Sequence, residues 1–280
     1  MSKLFTEFQL NSPRGQMTLA NRMIVAPMCQ YSSEDGLAND WHLTHWTNLM
    51  NSGAGAVIIE ATGVTADGRI TPHCLGIWND AGEQAITERL KRARKLAPQG
   101  LVGLQLCHAG RKASSQVPWE GGALIPPSSP GGWQTVAPSA VGHNPNEPAP
   151  KALDLAEMAT IKEAFAQAAL RAERAGVDFI ELHGAHGYLL HQFMSPLANL
   201  RTDEYGGSSA NRMRFPIEVF AAVRAVYRGV LGIRVSASDW AQGGWTPEET
   251  IILAQALKAH DISYIHVSSG GVSYQQKINL

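Results

Sequence analysis

The chain has 280 residues and a formal net charge of −1, from 23 basic and 24 acidic side chains. Its hydrophobic fraction is 44 % and its charged fraction is 17 %, which favours a folded domain with a large core and excludes a disordered chain. The balanced charge also argues against nucleic acid or an anionic membrane as the main partner.

The cysteines and the N-terminal residues indicate a reducing compartment. Cys29, Cys74 and Cys107 form no C-x-x-C pair, so we expect neither a disulfide framework nor a structural zinc site. The first residues lack the apolar centre of a signal peptide, and no apolar run approaches the ~20 residues that a membrane helix needs. The sequence therefore predicts a cytoplasmic protein without a membrane partner.

Short apolar runs rich in Val and Ile alternate with amphipathic stretches. Predicted buried strands cover residues 23–26, 56–59, 101–106, 178–182, 232–235 and 263–267. Predicted helices cover residues 44–51, 82–96, 155–175, 188–194 and 211–227, and a last helix opens at Thr246-Pro-Glu-Glu. The segment before Met23 alternates polar and apolar residues, which predicts a hairpin that plugs one end of the sheet.

The repeated strand–helix order predicts a parallel sheet, built either as an open doubly wound sheet or as a (β/α)₈ barrel. A dinucleotide-binding open sheet expects G-x-G-x-x-G after the first strand, but Pro27-Met28-Cys29-Gln30-Tyr31 follows it here. A barrel expects polar side chains at the carboxyl ends of several strands, which this chain has. An insertion of about residues 111–151, rich in Pro, Gly and Ser, interrupts the repeat and is typical of a lid.

Arg234 lies between Ile233 and Val235 in a predicted buried strand. An unpaired buried guanidinium is costly, so it needs an anion nearby. That anion is either an internal carboxylate, such as Glu60 or Glu181, or an anionic ligand at the mouth of the barrel.

Two histidines and a tyrosine follow the fourth predicted strand. His183, His186 and Tyr188 could together bind a carbonyl oxygen and deliver a proton. Hydrogen-bonded structural roles are the first alternative. A metal site that includes His191 is the second, although the H-E-x-x-H pattern is absent.

Three further strand ends suit a planar ligand. Gln105 is either a satisfied core amide or a ligand for an imide-like edge, because its amide donates and accepts at once. Cys29 is either a small buried apolar residue or a reactive thiol. Ala61 leaves room for a flat molecule. Together these strand ends indicate a site for a planar polar ligand that develops negative charge.

The chain resembles the Old Yellow Enzyme family of FMN-dependent ene-reductases, and most closely its bacterial class with a cysteine beside the flavin. The matching motifs span nearly the whole chain in order: Ala26-Pro-Met-Cys-Gln-Tyr, Glu60-Ala, Gly68-Arg-Ile-Thr-Pro, Gln105 with His108-Ala-Gly-Arg-Lys-Ala, His183-Gly-Ala-His-Gly-Tyr, Arg201-Thr-Asp-Glu-Tyr-Gly-Gly-Ser and Arg234-Val-Ser-Ala-Ser.

The resemblance implies an NADPH dehydrogenase or ene-reductase with FMN as its cofactor and NADPH or NADH as its reductant. The implied flavin-binding residues are Ala26, Pro27, Met28, Cys29, Ala61, Gln105 and Arg234. His183 and His186 would hold the carbonyl oxygen of an activated alkene such as an α,β-unsaturated carbonyl, Tyr31 would position that substrate, and Tyr188 would donate the proton. Reductant and alkene would use one site in turn, in a ping-pong cycle. A homo-oligomer is compatible with the family.

The family barrel has eight strands, whereas six are predicted here within a single domain of residues 1–280. We therefore expect the last two strand–helix units, which hold the FMN phosphate in this family, to be absent. That expectation implies weak FMN binding and open sheet edges that favour aggregation or pairing with another chain. The first alternative is a truncated, flavin-free remnant without activity. The second, ranked below it, is a metal-dependent barrel hydrolase built on His183, His186 and His191.

Overall fold

The computed structural model describes residues 2–278 of the chain. The strands of this part are β1 (Phe8–Ser12), β2 (Gly15–Leu19), β3 (Ile24–Val25), β4 (Ala56–Gly63), β5 (Val102–Cys107), β6 (Val136–Ala137), β7 (Lys151–Ala152), β8 (Phe179–Gly184), β9 (Val230–Ser236) and β10 (Tyr264–Ser268). Its α-helices are α1 (Asp40–Met50), α2 (Asp80–Leu96), α3 (Leu155–Ala175), α4 (Leu189–Met194), α5 (Ser209–Val226) and α6 (Pro247–Lys258). Single 3₁₀ turns cover Lys3–Phe5, Gly110–Lys112 and Pro118–Glu120.

Six parallel strands form one curled sheet in the order β10-β9-β8-β5-β4-β3. Helices α1, α2, α3, α5 and α6 pack in a row against its outer face. The outward side chains of the strands, such as Leu104 and Ile180, join these helices in the main hydrophobic core. Within residues 2–278, β3 and β10 do not pair, so the sheet has the shape of a barrel that is open on one side. The predicted barrel-type α/β class is confirmed.

The amino ends of the strands are closed by the N-terminal hairpin. Strands β1 and β2 pair antiparallel, and they place Leu10 and Leu19 against Ile58, Phe179 and Val230 inside the curled sheet. Because side chains alternate along a strand, the next inward-facing residues on β8 after Phe179 are Glu181 and His183. The hairpin predicted before Met23 therefore forms and plugs the sheet as expected.

Polar residues fill the interior above this apolar plug. In the middle layer, β5, β8, β9 and β10 carry Gln105, Glu181, Gly232 and Tyr264 in register. The layer above it, at the carboxyl ends of the strands, is made by His183, Arg234 and His266 in register. The interior thus changes from apolar to polar towards the end where barrel enzymes place their active sites.

The insertion of residues 111–151 lies against the carboxyl ends of the strands and is held there by a cation–π contact. The Arg69 guanidinium lies 5.1 Å from the Trp78 ring centroid and 5.2 Å from that of Trp133, so it bridges the insertion and the segment before α2. The Trp133 indole N–H also donates to the carbonyl oxygen of Asp67 at 2.8 Å. These contacts hold Trp133 of the insertion against the segment before α2.

The predicted elements agree with the structure except at their ends. Helix α1 begins at Asp40 rather than at residue 44, because Asn39 caps it and His42 completes a capping box. The first parallel strand is shorter than predicted and covers only Ile24–Val25. Nowhere in the described residues 2–278 does a helix reach the length and apolar character needed to cross a membrane.

Candidate active site

The sequence-predicted residues meet at the carboxyl ends of the parallel strands. Cys29, Tyr31 and Tyr188 pack against one small cluster with Ala61, and Trp133 of the insertion covers it. The residues predicted to surround a planar ligand therefore come from several strands but share one place. Met28 is 50 % exposed at the end of β3, so its side chain is available to a ligand.

The two histidines form a close pair beside the tyrosine. The ring centroids of His183 and His186 are 5.1 Å apart, and those of His183 and Tyr188 are 4.8 Å apart, both with nearly perpendicular rings. The Nδ1 atom of His183 accepts from the backbone N–H of Ala185 at 3.3 Å, which leaves the Nε2 position to carry the proton. The His183 Nε2–H is thus open to an oxygen atom, whereas Nε2 of His186 lies 2.7 Å from the Ser268 hydroxyl and only its Nδ1 position remains for a ligand.

Both imidazoles are held neutral. Burial lowers the pKa of His183 well below its usual value, and its neighbours His186, Arg234 and Lys112 act in the same direction. Burial together with Arg234 and Lys112 lowers the pKa of His186 to about 4. Neutral imidazoles donate hydrogen bonds without delivering a full positive charge, so they polarise a carbonyl group rather than protonate it.

The loop that carries His186 has a constrained backbone. His186 has φ +58° and Gly187 has φ +74°. A Cβ atom at Gly187 would lie 2.1 Å from the Gly271 carbonyl oxygen, so only glycine fits there. The His186 N–H donates to the Ser236 hydroxyl at 3.0 Å, and Nδ1 of His191 accepts from the Gly187 N–H at 2.9 Å. These contacts hold a non-glycine residue in a costly conformation.

A fully buried network supports this loop from behind. The second ring nitrogen of His191, Nε2, lies 2.8 Å from the Asp239 carboxylate, which also accepts from the Ser195 hydroxyl at 2.6 Å and from the Trp245 N–H at 2.8 Å. Both nitrogens of His191 are therefore engaged away from His183. The three-histidine metal site of the hydrolase alternative is not formed, and in residues 2–278 no group of three or more His, Cys, Asp or Glu is placed to hold a metal ion.

Arg111 and Lys112 link the insertion to two loops of the site. The Arg111 guanidinium donates to the Val272 carbonyl oxygen at 2.6 Å, and the Lys112 ammonium donates to the His186 and Gly271 carbonyl oxygens at 2.8 and 3.1 Å. Burial and the charge of Arg111 lower the pKa of Lys112 to about 8. The sequence analysis names Lys112 only within the motif that begins at His108. Its hydrogen-bond partners are backbone atoms of distant loops, so a single segment of sequence does not reveal its role.

Tyr188 is buried beside His183. It caps α4, and burial raises its pKa well above its usual value, so the phenol stays protonated. The Lys112 ammonium lies 5.1 Å from the centroid of the Tyr188 ring, where its charge favours the phenolate that proton transfer would create. Burial likewise raises the pKa of Tyr31, whose ring packs edge-on against Trp119 of the insertion at 5.7 Å.

The cysteine at the end of β3 has a neighbour that the sequence did not reveal. The thiol of Cys29 lies within hydrogen-bonding reach of Cys74, which receives further contacts from the Thr71 N–H at 3.3 Å and the Thr71 hydroxyl at 3.4 Å. The hydrogen bond to Cys74, together with burial, raises the pKa of Cys29 well above its usual value. Cys29 thus presents a protonated thiol to the site.

The carboxylate partners that the sequence suggested for Arg234 are engaged elsewhere. Glu60 accepts from the Gln30 N–H at 3.1 Å, and Glu181 binds Gln105 at 2.7 Å and His266 at 3.0 Å. The Arg234 Nε atom is buried and has no hydrogen-bond partner within the described chain, and burial lowers the pKa of the guanidinium. A cation with an open donor, facing the same mouth as Ala61 and Gln105, fits a flat ligand that carries negative charge.

Comparison with known proteins agrees with this geometry. The profile of the NADH:flavin oxidoreductase / NADH oxidase family matches residues 3–275. The NADPH dehydrogenase of Geobacillus thermodenitrificans is 41 % identical over 258 residues, which cover 91 % of this chain and 71 % of that protein. Morphinone reductase in complex with tetrahydroNAD has a similar structure, with a TM-score of 0.77 and 32 % identity over 95 % of this chain and 74 % of the other. An old yellow enzyme homologue from Zymomonas mobilis gives a TM-score of 0.79 and 29 % identity, over 99 % of this chain and 78 % of the other.

Proposed function

The chain belongs to the NADH:flavin oxidoreductase / NADH oxidase family, and from that membership we propose that it is an FMN-dependent ene-reductase. NADPH or NADH is the reductant, and the substrate is an activated alkene such as an α,β-unsaturated carbonyl. When bound, FMN supplies the hydride chemistry that connects the two. The resemblance read from the sequence motifs and the family match support this assignment.

The proposed flavin site lies at the carboxyl ends of β3, β4, β5 and β9. Its residues are Ala26, Pro27, Met28, Cys29, Ala61, Gln105 and Arg234. The observation that carries the proposal is the open guanidinium of Arg234, which has no carboxylate bound to it and stands in register with His183. Arg234 would neutralise charge on the flavin, Gln105 would bind its polar edge, and Ala61 and Cys29 would face its ring.

Substrate binding is assigned to the residues above the flavin site. His183 and His186 would donate hydrogen bonds to the carbonyl oxygen of the alkene and so stabilise the charge that develops on it. Tyr31 would position the substrate, and Tyr188 would deliver the proton from its hydroxyl oxygen to the carbon next to the carbonyl group. The reductant and the alkene would occupy the same space in turn, which makes the cycle ping-pong.

The cycle is tested by separating its two half-reactions. The protein mixed with FMN should lose flavin absorbance when NADPH is added without oxygen, and 2-cyclohexenone should then restore it. Protein that retains no FMN under these conditions would favour the flavin-free remnant. Bleaching by NADPH without recovery on addition of the enone would leave a flavin oxidoreductase but contradict the alkene as substrate.

We also propose a cytoplasmic location. Cys29, Cys74 and Cys107 are all free thiols in the structure, although Cys29 and Cys74 are neighbours, which suits a reducing compartment. Fractionation of the native host should recover the protein with other cytoplasmic proteins, and its recovery with secreted proteins would contradict the proposal.

A further inference from the structure

Glu181 is a buried carboxylate in the middle of a strand. It is 0 % exposed, and it lies in register between Gln105 on β5 and Gly232 on β9. Its neighbours Ile180 and Leu182 belong to the outer core, so the Glu181 side chain faces the inside of the curled sheet. Burying a carboxylate is costly unless it is paired and fully hydrogen-bonded, and apolar residues fill such positions at lower cost.

The carboxylate connects three strands. One oxygen, Oε1, accepts from the Gln105 amide N–H at 2.7 Å, and the other, Oε2, lies 3.0 Å from Nδ1 of His266 on β10. Strand β9 lies between β8 and β10, but Gly232 has no side chain to block the way. A Cβ atom at Gly232 would come within 2.3 Å of the Tyr264 ring. The glycine therefore makes room for the Tyr264 ring between the two strands.

The link determines how Gln105 is oriented. A carboxylate accepts hydrogen bonds and donates none, so the amide nitrogen of Gln105, and not its oxygen, must point at Glu181. The amide oxygen and the second N–H of Gln105 then remain for another partner. The Glu181 charge also acts on Arg234, where it opposes the lowering of the guanidinium pKa that burial causes.

We propose that Glu181 is a positioning residue for the flavin. It fixes the Gln105 amide so that the amide oxygen is presented to the polar edge of FMN, and its negative charge, one layer below Arg234, makes the bound flavin harder to reduce. The inference rests on the proposed function, because it assigns a role toward FMN. A purely structural role in the barrel interior would affect stability but would not change the reduction potential.

The experiment uses the FMN-loaded protein and two substitutions of Glu181. Glu181→Gln keeps the size of the side chain and one carbonyl acceptor but removes the charge. We expect it to bind oxidised FMN within about threefold of the unsubstituted protein. The preference for reduced over oxidised FMN should rise about tenfold, which corresponds to an increase of about 30 mV in the midpoint potential of a two-electron couple.

Glu181→Leu removes the acceptor as well as the charge. It should weaken the binding of oxidised FMN about tenfold or more, because the Gln105 amide loses its orientation. In a Gln105→Ala background the same substitution should have no further effect on affinity. Glu218→Gln on α5 is the matched control, because it neutralises one carboxylate outside the sheet and should leave both affinity and potential unchanged.

Two measurements separate this inference from the proposed function. FMN fluorescence quenching reports the affinity, and equilibration with a redox dye reports the potential. If the unsubstituted protein fails to bind FMN, the proposed function itself is overturned. If it binds FMN but Glu181→Gln leaves the potential unchanged, or Glu218→Gln shifts it equally, only the role of Glu181 is overturned. Should Glu181→Leu not fold, the isosteric Glu181→Gln still decides the matter.

Discussion

The site combines neutral hydrogen-bond donors with neighbouring positively charged side chains. Burial keeps His183 and His186 uncharged, while Arg234 and Lys112 supply positive potential around them. A carbonyl oxygen that gains negative charge during hydride transfer would meet donors already in place, in surroundings where electrostatic interactions are weakly screened. Tyr188, whose pKa is raised by burial, is the proton donor that we propose for the alkene half-reaction.

Tyr188→Phe isolates this proton transfer. The substitution should slow the alkene half-reaction by about 10²-fold, a usual contribution of a general acid, and should leave reduction by NADPH within about threefold. Stopped-flow absorbance of the flavin measures both half-reactions. Tyr205→Phe is the control, since the Tyr205 hydroxyl contacts Glu218 away from the site. Equal slowing of both half-reactions by Tyr188→Phe would contradict its role as proton donor.

Among the secondary-structure elements, the N-terminal hairpin closes the amino end of the curled sheet. Its inward residues Leu10 and Leu19 complete a layer with Phe179 and Val230. This apolar layer lies below the polar residues of the interior. The hairpin is therefore expected to contribute to stability and to contact no ligand.

Leu19→Ala tests whether the hairpin contributes to stability without affecting ligand binding. Leu19 is 2 % exposed, so its truncation should lower the free energy of unfolding by about 2–5 kcal/mol, as for other buried leucines. The affinity for FMN should stay within about threefold, because the proposed flavin site lies at the opposite ends of the strands. Urea denaturation measures the first effect and flavin fluorescence the second. Thr18→Ala, on the exposed side of the same strand, should change neither, and a large loss of affinity with Leu19→Ala would show that the hairpin shapes the site.

The sequence predicts strands and strand-end residues well, because both depend on local patterns. Gln105 and Arg234 stand out as polar residues inside apolar runs, and the structure places both in the interior of the sheet, Arg234 at the carboxyl ends and Gln105 one layer below. The function of Glu181 could not be predicted in the same way. Its partner His266 is two strands away in the sheet. Such pairs depend on strand order and register, and neither is visible in one segment alone.

At the scale of the whole molecule, an unusual number of titratable groups is buried in uncharged form. Burial lowers the pKa of His42, His108 and His186 to about 4, and it also lowers that of His183 well below its usual value. Burial also raises the pKa of Glu60 to about 8, so it faces His42 at 3.9 Å as a neutral carboxyl group rather than as half of an ion pair. The free energy of unfolding therefore depends on pH, and the histidines and Glu60 contribute to that dependence in opposite directions.

Acid should destabilise the protein well before ordinary carboxylates titrate. Between pH 6.5 and about 4 the unfolded chain binds protons at these four histidines and the folded protein does not, so stability falls as the pH falls. Each histidine contributes up to about 1.4 kcal/mol per pH unit, and Glu60, which holds its proton when folded, opposes this with one proton. The urea midpoint should drop steeply between pH 6.5 and 4.5, and an unchanged midpoint would contradict neutral burial.

Glu60→Gln removes the contribution that opposes that of the histidines. Folded Glu60 keeps its proton up to pH about 8, whereas the unfolded chain loses it near pH 4.5, so its contribution to stability declines as the pH rises between these values. The stability of Glu60→Gln relative to the unsubstituted protein should therefore increase from pH 5 to pH 8. A constant difference across this range would show that Glu60 is not buried as a neutral acid.

The tether between Arg69 and Trp133 has an optical consequence. It holds one of the seven tryptophans of the chain in the cluster that contains Tyr31 and Tyr188, at the place assigned to the flavin. Indole emission overlaps flavin absorption, so an indole kept this close loses its excitation energy to a bound flavin instead of emitting light. Trp133 is therefore an intrinsic fluorescent probe of flavin binding. The difference in emission between the unsubstituted protein and Trp133→Phe would report the fraction of protein with bound flavin without any added label.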